Sequence, residues 1–246
     1  LEVCCMSSQL NHLPSLNAKL DEISREIGSQ IPAESKQLLS DFIEELRESG
    51  MVENALNQGD RIRHFELPNA VGSLVSSMDL LAKGPLVISF YRGAWCPYCN
   101  MHLQMLQMAL PEIHDRGAQL VAISPQTPDN SLTLAERHAL EFEVLSDRGN
   151  EVARDFGLVF SLSEPVKEFF RVAGFNLPEY NGDERWELPI PATYVVDQEG
   201  IVVSHIDPDW SRRMEPREIV EGYEANQNGE ADTPGTNTTI QPAAGD

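Results

Sequence analysis

The two cysteines at positions 96 and 99 constrain the possible fold of this chain more than any other feature. The apolar, β-branched run from Leu86 to Tyr91 predicts a buried strand, and Pro97 stands where a helix would begin. Cys96 and Cys99 therefore fall at a strand-to-helix junction, where the free N–H groups of a helix end stabilise a thiolate. This placement favours thiol redox chemistry.

A Cys-x-x-Cys pair has three interpretations. A zinc site would need two further ligands, yet none of the six histidines forms a His-x₃₋₅-His pair and no second Cys-x-x-Cys exists. The cysteines could also be two buried, inert thiols. The third interpretation is an interconvertible dithiol, in which the first cysteine is typically exposed and the second resolves mixed disulfides. The pattern favours the dithiol, with no metal and no cofactor.

Strand and helix patterns alternate around the cysteines. The predicted strands are 86–91, 119–124, 142–145, 193–197 and 201–206, and the predicted helices of this frame begin at Pro97, Pro128, Glu151 and Glu215. A short hairpin is predicted near residues 65–69, and residues 161–190 look like an irregular insertion that carries one helix. Together these patterns predict a mixed α/β sheet with helices on both faces.

Two more helices are predicted ahead of this frame, in residues 13–57. Their apolar residues recur at steps of three and four: Leu13, Leu16, Leu20, Ile23 and Ile27 in the first, and Leu38, Leu39, Phe42, Ile43 and Leu46 in the second. They form either an α-hairpin packed on its own domain or a dimerisation arm, which would make the protein a homodimer. The pattern divides the chain into a flexible N-terminus (1–12), this helical extension (13–57), a main domain (58–225) and a disordered tail (226–246).

The charge of the chain excludes several classes of partner. Its formal net charge of −21 argues against nucleic acid, because binding to phosphates needs a basic face. No run approaches the roughly 20 apolar residues that a membrane helix needs, and residues 1–10 lack the charged start and apolar core of a secretory signal. We therefore expect a soluble, cytoplasmic protein that binds neither nucleic acid nor membrane.

A second signal lies far downstream, at Pro191. This proline precedes a predicted strand and is either an ordinary strand-start residue or a cis proline, a costly feature that X–Pro bonds tolerate. Its occurrence in the same chain as a Cys-x-x-Cys favours the cis alternative.

The family resemblance rests on these residues. The stretch 95–99 (Trp-Cys-Pro-Tyr-Cys) resembles the active-site signature of thioredoxins and glutaredoxins, and 190–193 (Ile-Pro-Ala-Thr) resembles their cis-proline loop. The wider frame, roughly residues 57–225, is more similar to peroxiredoxins of the alkyl hydroperoxide reductase/thiol-specific antioxidant superfamily. Peroxiredoxin-like proteins combine both features, and this resemblance implies a thioredoxin-like fold.

The chain departs from the peroxiredoxin pattern Pro-x-x-x-Thr-x-x-Cys, whose final cysteine attacks peroxide. On this resemblance Cys99 takes the place of the nucleophile, Cys96 that of the threonine and Arg92 that of the proline. The distant arginine of the family, which polarises the peroxide, would fall near Ile190 and Pro191, where this chain has none. Arg92 either supplies positive charge near the thiols or, as is more common, is an exposed loop arginine.

The resemblance implies an antioxidant peroxidase in which Cys99 and Cys96 cycle between thiol, sulfenic acid and disulfide, with a thioredoxin- or glutathione-like donor. One alternative is a thiol–disulfide oxidoreductase, in which Cys96 attacks while Pro191 and the backbone of Ile190 hold an extended substrate. A redox sensor or scaffold with little turnover is another. Trp95 and Arg92 complete the set of predicted substrate-binding residues, which is Pro191, Ile190, Trp95 and Arg92.

Overall fold

The computed structural model describes residues 13–227. Its strands are β1 (Glu66–Pro68), β2 (Leu74–Ser76), β3 (Leu86–Phe90), β4 (Gln119–Ser124), β5 (Glu143–Ser146), β6 (Val159–Ser161), β7 (Glu187–Pro189), β8 (Ala192–Val196) and β9 (Ile201–Ile206). Its helices are α1 (Leu16–Gln30), α2 (Ala33–Glu48), α3 (Met51–Asn54), α4 (Ser77–Leu81), α5 (Pro97–Asp115), α6 (Pro128–His138), α7 (Glu151–Asp155), α8 (Glu164–Val172), α9 (Leu177–Asn181) and α10 (Pro216–Gln227).

The central sheet has five strands in the order β5-β4-β3-β8-β9. Strands β3, β4 and β5 run parallel, whereas β8 and β9 are antiparallel to their neighbours. Every residue of β3 and β8 is buried, as expected for central strands covered by helices on both faces. The predicted mixed α/β sheet is confirmed.

The strand register places the cysteine motif at one end of the sheet. Strand β3 leads directly into the cysteine loop, and the N–H of Tyr91 donates to the carbonyl of Ile123 at 3.0 Å. The last pair between β3 and β8 joins Phe90 to Ala192. Pro191 therefore lies at the same end of the sheet as the cysteines.

Helix α1 begins at a serine cap and packs on the helix that carries the cysteines. The Ser15 side chain accepts from the N–H of Ala18, which satisfies one of the free donors at the helix start. Leu16 and Leu20 are fully buried, and α1 contacts α5 while α2 contacts α8. The apolar stripe of α1 is thus packed against its own chain through Leu16 and Leu20, while Leu13, Ile23 and Ile27 are partly buried; the homodimer stays a prediction.

Residues 161–190 are more regular than the sequence predicted. They contain two helices, α8 and α9, while β6 pairs with β7 in a separate two-stranded sheet. The strands β6 and β7 have three residues each and α9 has five. Such short elements show no period, which explains why the pattern indicated one helix and no strands.

Helix α10 continues to Gln227, two residues past the predicted end of the main domain; the domain boundaries stay predictions. The rest of the predicted tail, like the predicted flexible N-terminus with Cys4 and Cys5, lies outside the described residues. No helix between residues 13 and 227 is long and apolar enough to cross a membrane.

Replacing Leu20 by alanine tests how firmly α1 is packed. We expect Leu20→Ala to lower the free energy of unfolding by about 2–5 kcal/mol, because it leaves a cavity at a fully buried position. Urea denaturation followed by circular dichroism measures the change. The matched control is Glu22→Ala, on the same helix, which should change the value by less than about 0.5 kcal/mol. Equal losses of unfolding free energy in Leu20→Ala and Glu22→Ala would contradict the burial of Leu20 in the core.

Candidate active site

The first turn of α5 brings the two sulfurs together. Cys96 is the N-cap residue, and its Sγ accepts a hydrogen bond from the N–H of Cys99 at 3.4 Å. Both cysteines are free thiols. The arrangement places a dithiol at the positive end of a helix dipole.

The loop before the helix is fixed by close contacts. Gly93 has a φ of 149°, and a Cβ atom there would lie 2.5 Å from Nε1 of Trp95, so glycine is required. The side-chain oxygen of Gln126 accepts from the N–H of Ala94 at 2.7 Å. The amide of Asn100 donates to the carbonyl of Ala94 at 2.9 Å. Cys96 is therefore presented by a rigid loop.

Each sulfur is contacted by a buried arginine. Nη2 of Arg92 lies 3.0 Å from Sγ of Cys96, and Nη2 of Arg213 lies 3.8 Å from Sγ of Cys99. Both arginines are only 3% exposed. The guanidinium of Arg92 also lies 4.5 Å from the ring centre of Trp210, a cation–π contact that helps to hold it. Two positive charges thus face one pair of thiols.

The pKa values of the two cysteines are displaced in opposite directions. Burial raises the pKa of Cys96 well above its usual range, and its hydrogen bond to Cys99 acts in the same direction. Burial acts on Cys99 as well, but the hydrogen bond from Cys96 and the charges of Arg213 and Arg92 outweigh it and hold the pKa of Cys99 well below its usual range. These directions favour the proton on Cys96 and the negative charge on Cys99.

Two buried histidines lie near Arg213 and remain uncharged. Burial, with Arg213 nearby, lowers the pKa of His205 to about 4. Burial and the charge of Arg213 also lower the pKa of His102, which is one helical turn after Cys99. Since both rings are neutral at physiological pH, the positive charge at the thiols comes from the arginines. Between residues 13 and 227 no three His, Cys, Asp or Glu side chains form a group that could hold a metal ion.

Comparison with known proteins identifies the family. Residues 58–205 match the family model described as AhpC/TSA. The chain belongs to the AhpC/TSA family. The resemblance of the wider frame, residues 57–225, to this superfamily is thereby confirmed.

Relatives of this AhpC/TSA member include bacterial and plant peroxiredoxins. It is 32% identical over 103 residues to a putative peroxiredoxin bcp of Buchnera aphidicola, covering 42% of the chain and 65% of that relative. It is 31% identical over 105 residues to peroxiredoxin Bcp of Escherichia coli, covering 43% and 67% respectively. The match to the chloroplastic peroxiredoxin Q of Populus jackii is 26% identical over 147 residues and covers 60% of the chain and 58% of the relative. The chain thus spans about two thirds or less of these relatives.

Solved structures support the thioredoxin-like fold of the family member. Peroxidoxin BcpB from Mycobacterium tuberculosis superposes with a TM-score of 0.55 at 22% identity, covering 69% of this chain and 97% of that one. A mutant of PrxQ from Xylella fastidiosa gives a TM-score of 0.56 at 13% identity, covering 70% and 98%. At these identities the likeness concerns the fold alone.

The burial of the site contradicts two predictions, the exposure of Cys96 and the exposure of Arg92. Both cysteines are 0% exposed, whereas the sequence predicted an exposed first cysteine. Arg92 is buried as well, so it is not an exposed loop arginine. The covering groups include Tyr98, whose hydroxyl accepts from Oγ of Ser24 on α1 at 3.3 Å. Sequence reasoning missed this burial because it depends on contacts between distant segments.

The other predicted substrate-binding residues have different surroundings. Trp95 lies in the loop, with its ring centre 5.1 Å from the guanidinium carbon of Arg92. No cis peptide bond occurs in residues 13–227, so the expected cis bond at Pro191 is wrong. The chain passes from β7 to β8 in the trans form, and the N–H of Ile190 is engaged with the carbonyl of Leu158 at 2.8 Å. That amide is therefore not free to pair with an extended substrate.

Sequence reasoning missed Arg213 altogether. This arginine comes from the segment between β9 and α10, beyond the position where the peroxiredoxin pattern has its distant arginine. Its local signal is a charged pair, Arg212 and Arg213, between the apolar residues Trp210 and Met214. Only the fold brings it to Cys99.

Replacing Arg213 by methionine tests the charge arrangement. We expect Arg213→Met to raise the pKa of Cys99, because a cation that favours the thiolate is lost. Thiolate absorbance at 240 nm, followed against pH, measures the new midpoint. At a pH below both midpoints, a pKa that is higher by about 1 leaves about one tenth as much thiolate.

The control for this prediction is Arg217→Met, which removes an exposed arginine four residues away. It should leave the titration of Cys99 unchanged. A midpoint that does not move in Arg213→Met would show that the arginine does not stabilise the thiolate.

Proposed function

We propose that this protein is a thiol-dependent peroxidase that reduces hydroperoxides through Cys99 and Cys96. The observation that carries the proposal is the placement of two buried arginines at the dithiol, with Arg213 at the sulfur of Cys99 and Arg92 at the sulfur of Cys96. The directions of the pKa shifts favour the thiolate at Cys99 and the proton at Cys96. A thiolate is the nucleophilic form of cysteine. The peroxiredoxin relatives support peroxide as the substrate class.

In the first step the Cys99 thiolate attacks the terminal oxygen of the hydroperoxide. An S–O bond forms and the O–O bond breaks, so that sulfur is oxidised by two electrons and the peroxide is reduced to an alkoxide, which takes up a proton to leave as an alcohol. Arg213 contacts the attacking sulfur and stabilises the negative charge as it passes to oxygen. Cys99 becomes a sulfenic acid.

In the second step Cys96 resolves the sulfenic acid. Its sulfur attacks that of Cys99, a disulfide forms and water leaves. The Sγ of Cys96 already lies 3.4 Å from the backbone nitrogen of Cys99 in the first turn of α5, so the ring closes with little unwinding of the helix. A thioredoxin- or glutathione-like donor then returns two electrons and restores both thiols. The cycle suits a reducing compartment such as the cytoplasm.

Substrate and donor reach the sulfurs only when the covering groups move, because neither cysteine is exposed. Tyr98 and helix α1 lie at the dithiol, and Trp210 lies against Arg92. A small hydroperoxide needs less opening than a protein donor does. We therefore expect reduction by a protein donor to be the step that is more sensitive to the docking of α1.

The alternative of a thiol–disulfide oxidoreductase fits the site less well. It requires Cys96 to be the attacking thiolate and Cys99 to resolve, which is the reverse of the order of their pKa values. A redox sensor with little turnover would use the same thiols but needs no donor.

The two single-cysteine variants test the peroxidase. In Cys96→Ser, we expect hydrogen peroxide to convert Cys99 to a sulfenic acid that persists, because its resolving partner is gone; a dimedone-type probe with mass spectrometry detects it. Cys99→Ser should give no label at position 96 and no peroxidase turnover with a thioredoxin or glutathione donor.

Stopped-flow oxidation of the wild type provides the comparison with ordinary thiols. Oxidation no faster than that of a free thiol, together with reduction of insulin disulfides, would favour the oxidoreductase instead. Fast disulfide formation without steady-state turnover with any donor would favour the sensor.

A further inference from the structure

Helix α1 is fastened at its start to the segment that carries Arg213. The carboxylate of Glu215 accepts hydrogen bonds from Oγ of Ser15 at 2.8 Å and from the N–H groups of Leu16 and Asn17, each at 2.9 Å. A carboxylate at this position satisfies free donors of the helix and favours its positive end. These backbone hydrogen bonds lower the pKa of Glu215 despite its partial burial, so that it stays charged.

A second set of contacts holds the backbone of Arg213 itself. Nδ2 of Asn17 donates to the carbonyl of Arg213 at 2.9 Å, and the N–H of Arg213 donates to Oδ1 of Asn17 at 3.3 Å. Beside them, Nη1 of Arg212 contacts the carboxylate of Asp21 at 2.9 Å. One asparagine side chain thus pairs with both polar groups of the arginine backbone.

The guanidinium of Arg213 has few other anchors. It donates to the carbonyl of Arg212 and to Sγ of Cys99, and its Nε is buried without a hydrogen-bond partner among the described residues. An arginine side chain has many rotamers to lose on burial. Its position at the sulfur therefore depends on where its backbone is held.

We propose that Asn17 and Glu215 are positioning residues for the dithiol, because they fix the backbone of Arg213 so that its guanidinium reaches the sulfur of Cys99. Both residues, like Arg213, lie outside the region 58–205 that matches the family. The segments before and after this region thus contact each other and place Arg213 at the dithiol. The inference deepens the proposed peroxidase and rests on it for its catalytic meaning.

The pH dependence of Cys99 reports on this position directly. The titratable and charged groups that face the site are Cys96, Arg92, Arg213 and Tyr91, with His102, His205 and Asp207 around Arg213. The histidines are neutral at physiological pH, and burial raises the pKa of Tyr91. Between pH 5 and 8, the arginines are the partners of Cys99 that carry full positive charge.

The test measures the titration of the dithiol in Asn17→Ala and Glu215→Gln, in a background with Cys4→Ser and Cys5→Ser that leaves Cys96 and Cys99 as the thiols. Peptide mass spectrometry assigns the alkylated cysteine. Thiolate absorbance at 240 nm and the rate of alkylation of Cys99 by iodoacetamide, both against pH, do not require peroxidase activity. We expect both variants to move the midpoint to higher pH and to slow alkylation at pH 6 several-fold. Asp21→Asn, which removes only an exposed ion pair with Arg212, should leave both readouts unchanged.

A double-mutant cycle separates positioning from a general loss of structure. If Asn17 acts through Arg213, then Asn17→Ala should move the midpoint no further in the Arg213→Met background. Circular dichroism checks the fold of each variant. If Asn17→Ala does not fold, the titration midpoint of Glu215→Gln, which keeps a hydrogen-bonding oxygen, tests the positioning role.

The outcomes distinguish this inference from the proposed function. An unchanged midpoint in Glu215→Gln and in a folded Asn17→Ala would overturn the positioning role, as would equal changes of the midpoint with and without Arg213. A raised midpoint in a protein that forms no sulfenic acid would support the positioning while removing the peroxidase.

Discussion

A buried negative charge at Cys99 is the constraint on which the site depends. A thiolate without solvent is costly unless cations and hydrogen bonds compensate for the lost water. Here the compensation comes from the hydrogen bond of Cys96 and from the charges of Arg213 and Arg92. These groups come from separate segments of the chain, so the tertiary structure must hold them all in place.

The site depends on residues on both sides of the region 58–205 that matches the family. The sheet and α5 supply the cysteines and Arg92, but Arg213 follows β9 and is held by α1. A formal net charge of −21 shows that cations are scarce on a largely acidic protein. Two arginines are nevertheless buried beside the same pair of thiols. Such a concentration of scarce cations at one site is typical of a place where a charge develops or reacts.

The sequence predicted the frame far better than the site. Strand β4 and helix α6 were located correctly because their apolar runs and proline starts are local signals. Arg213 gives only a weak local signal, because its importance comes from long-range contacts with Asn17 and Cys99. The trans bond at Pro191 and the burial of Arg92 were missed for the same reason: both depend on how distant segments pack.

The charge arrangement also bears on the regeneration of the dithiol. The thiolate of Cys99 is stabilised by two guanidinium groups, but a disulfide is neutral and leaves both of them without that anion. A guanidinium group stays protonated at physiological pH, so the arginines cannot shed their charge to compensate. Interactions that favour the thiolate over the disulfide stabilise the reduced form, as in strongly oxidising dithiols. In the proposed cycle, the same arginines that activate Cys99 toward peroxide therefore make the resulting disulfide easier for a donor to reduce.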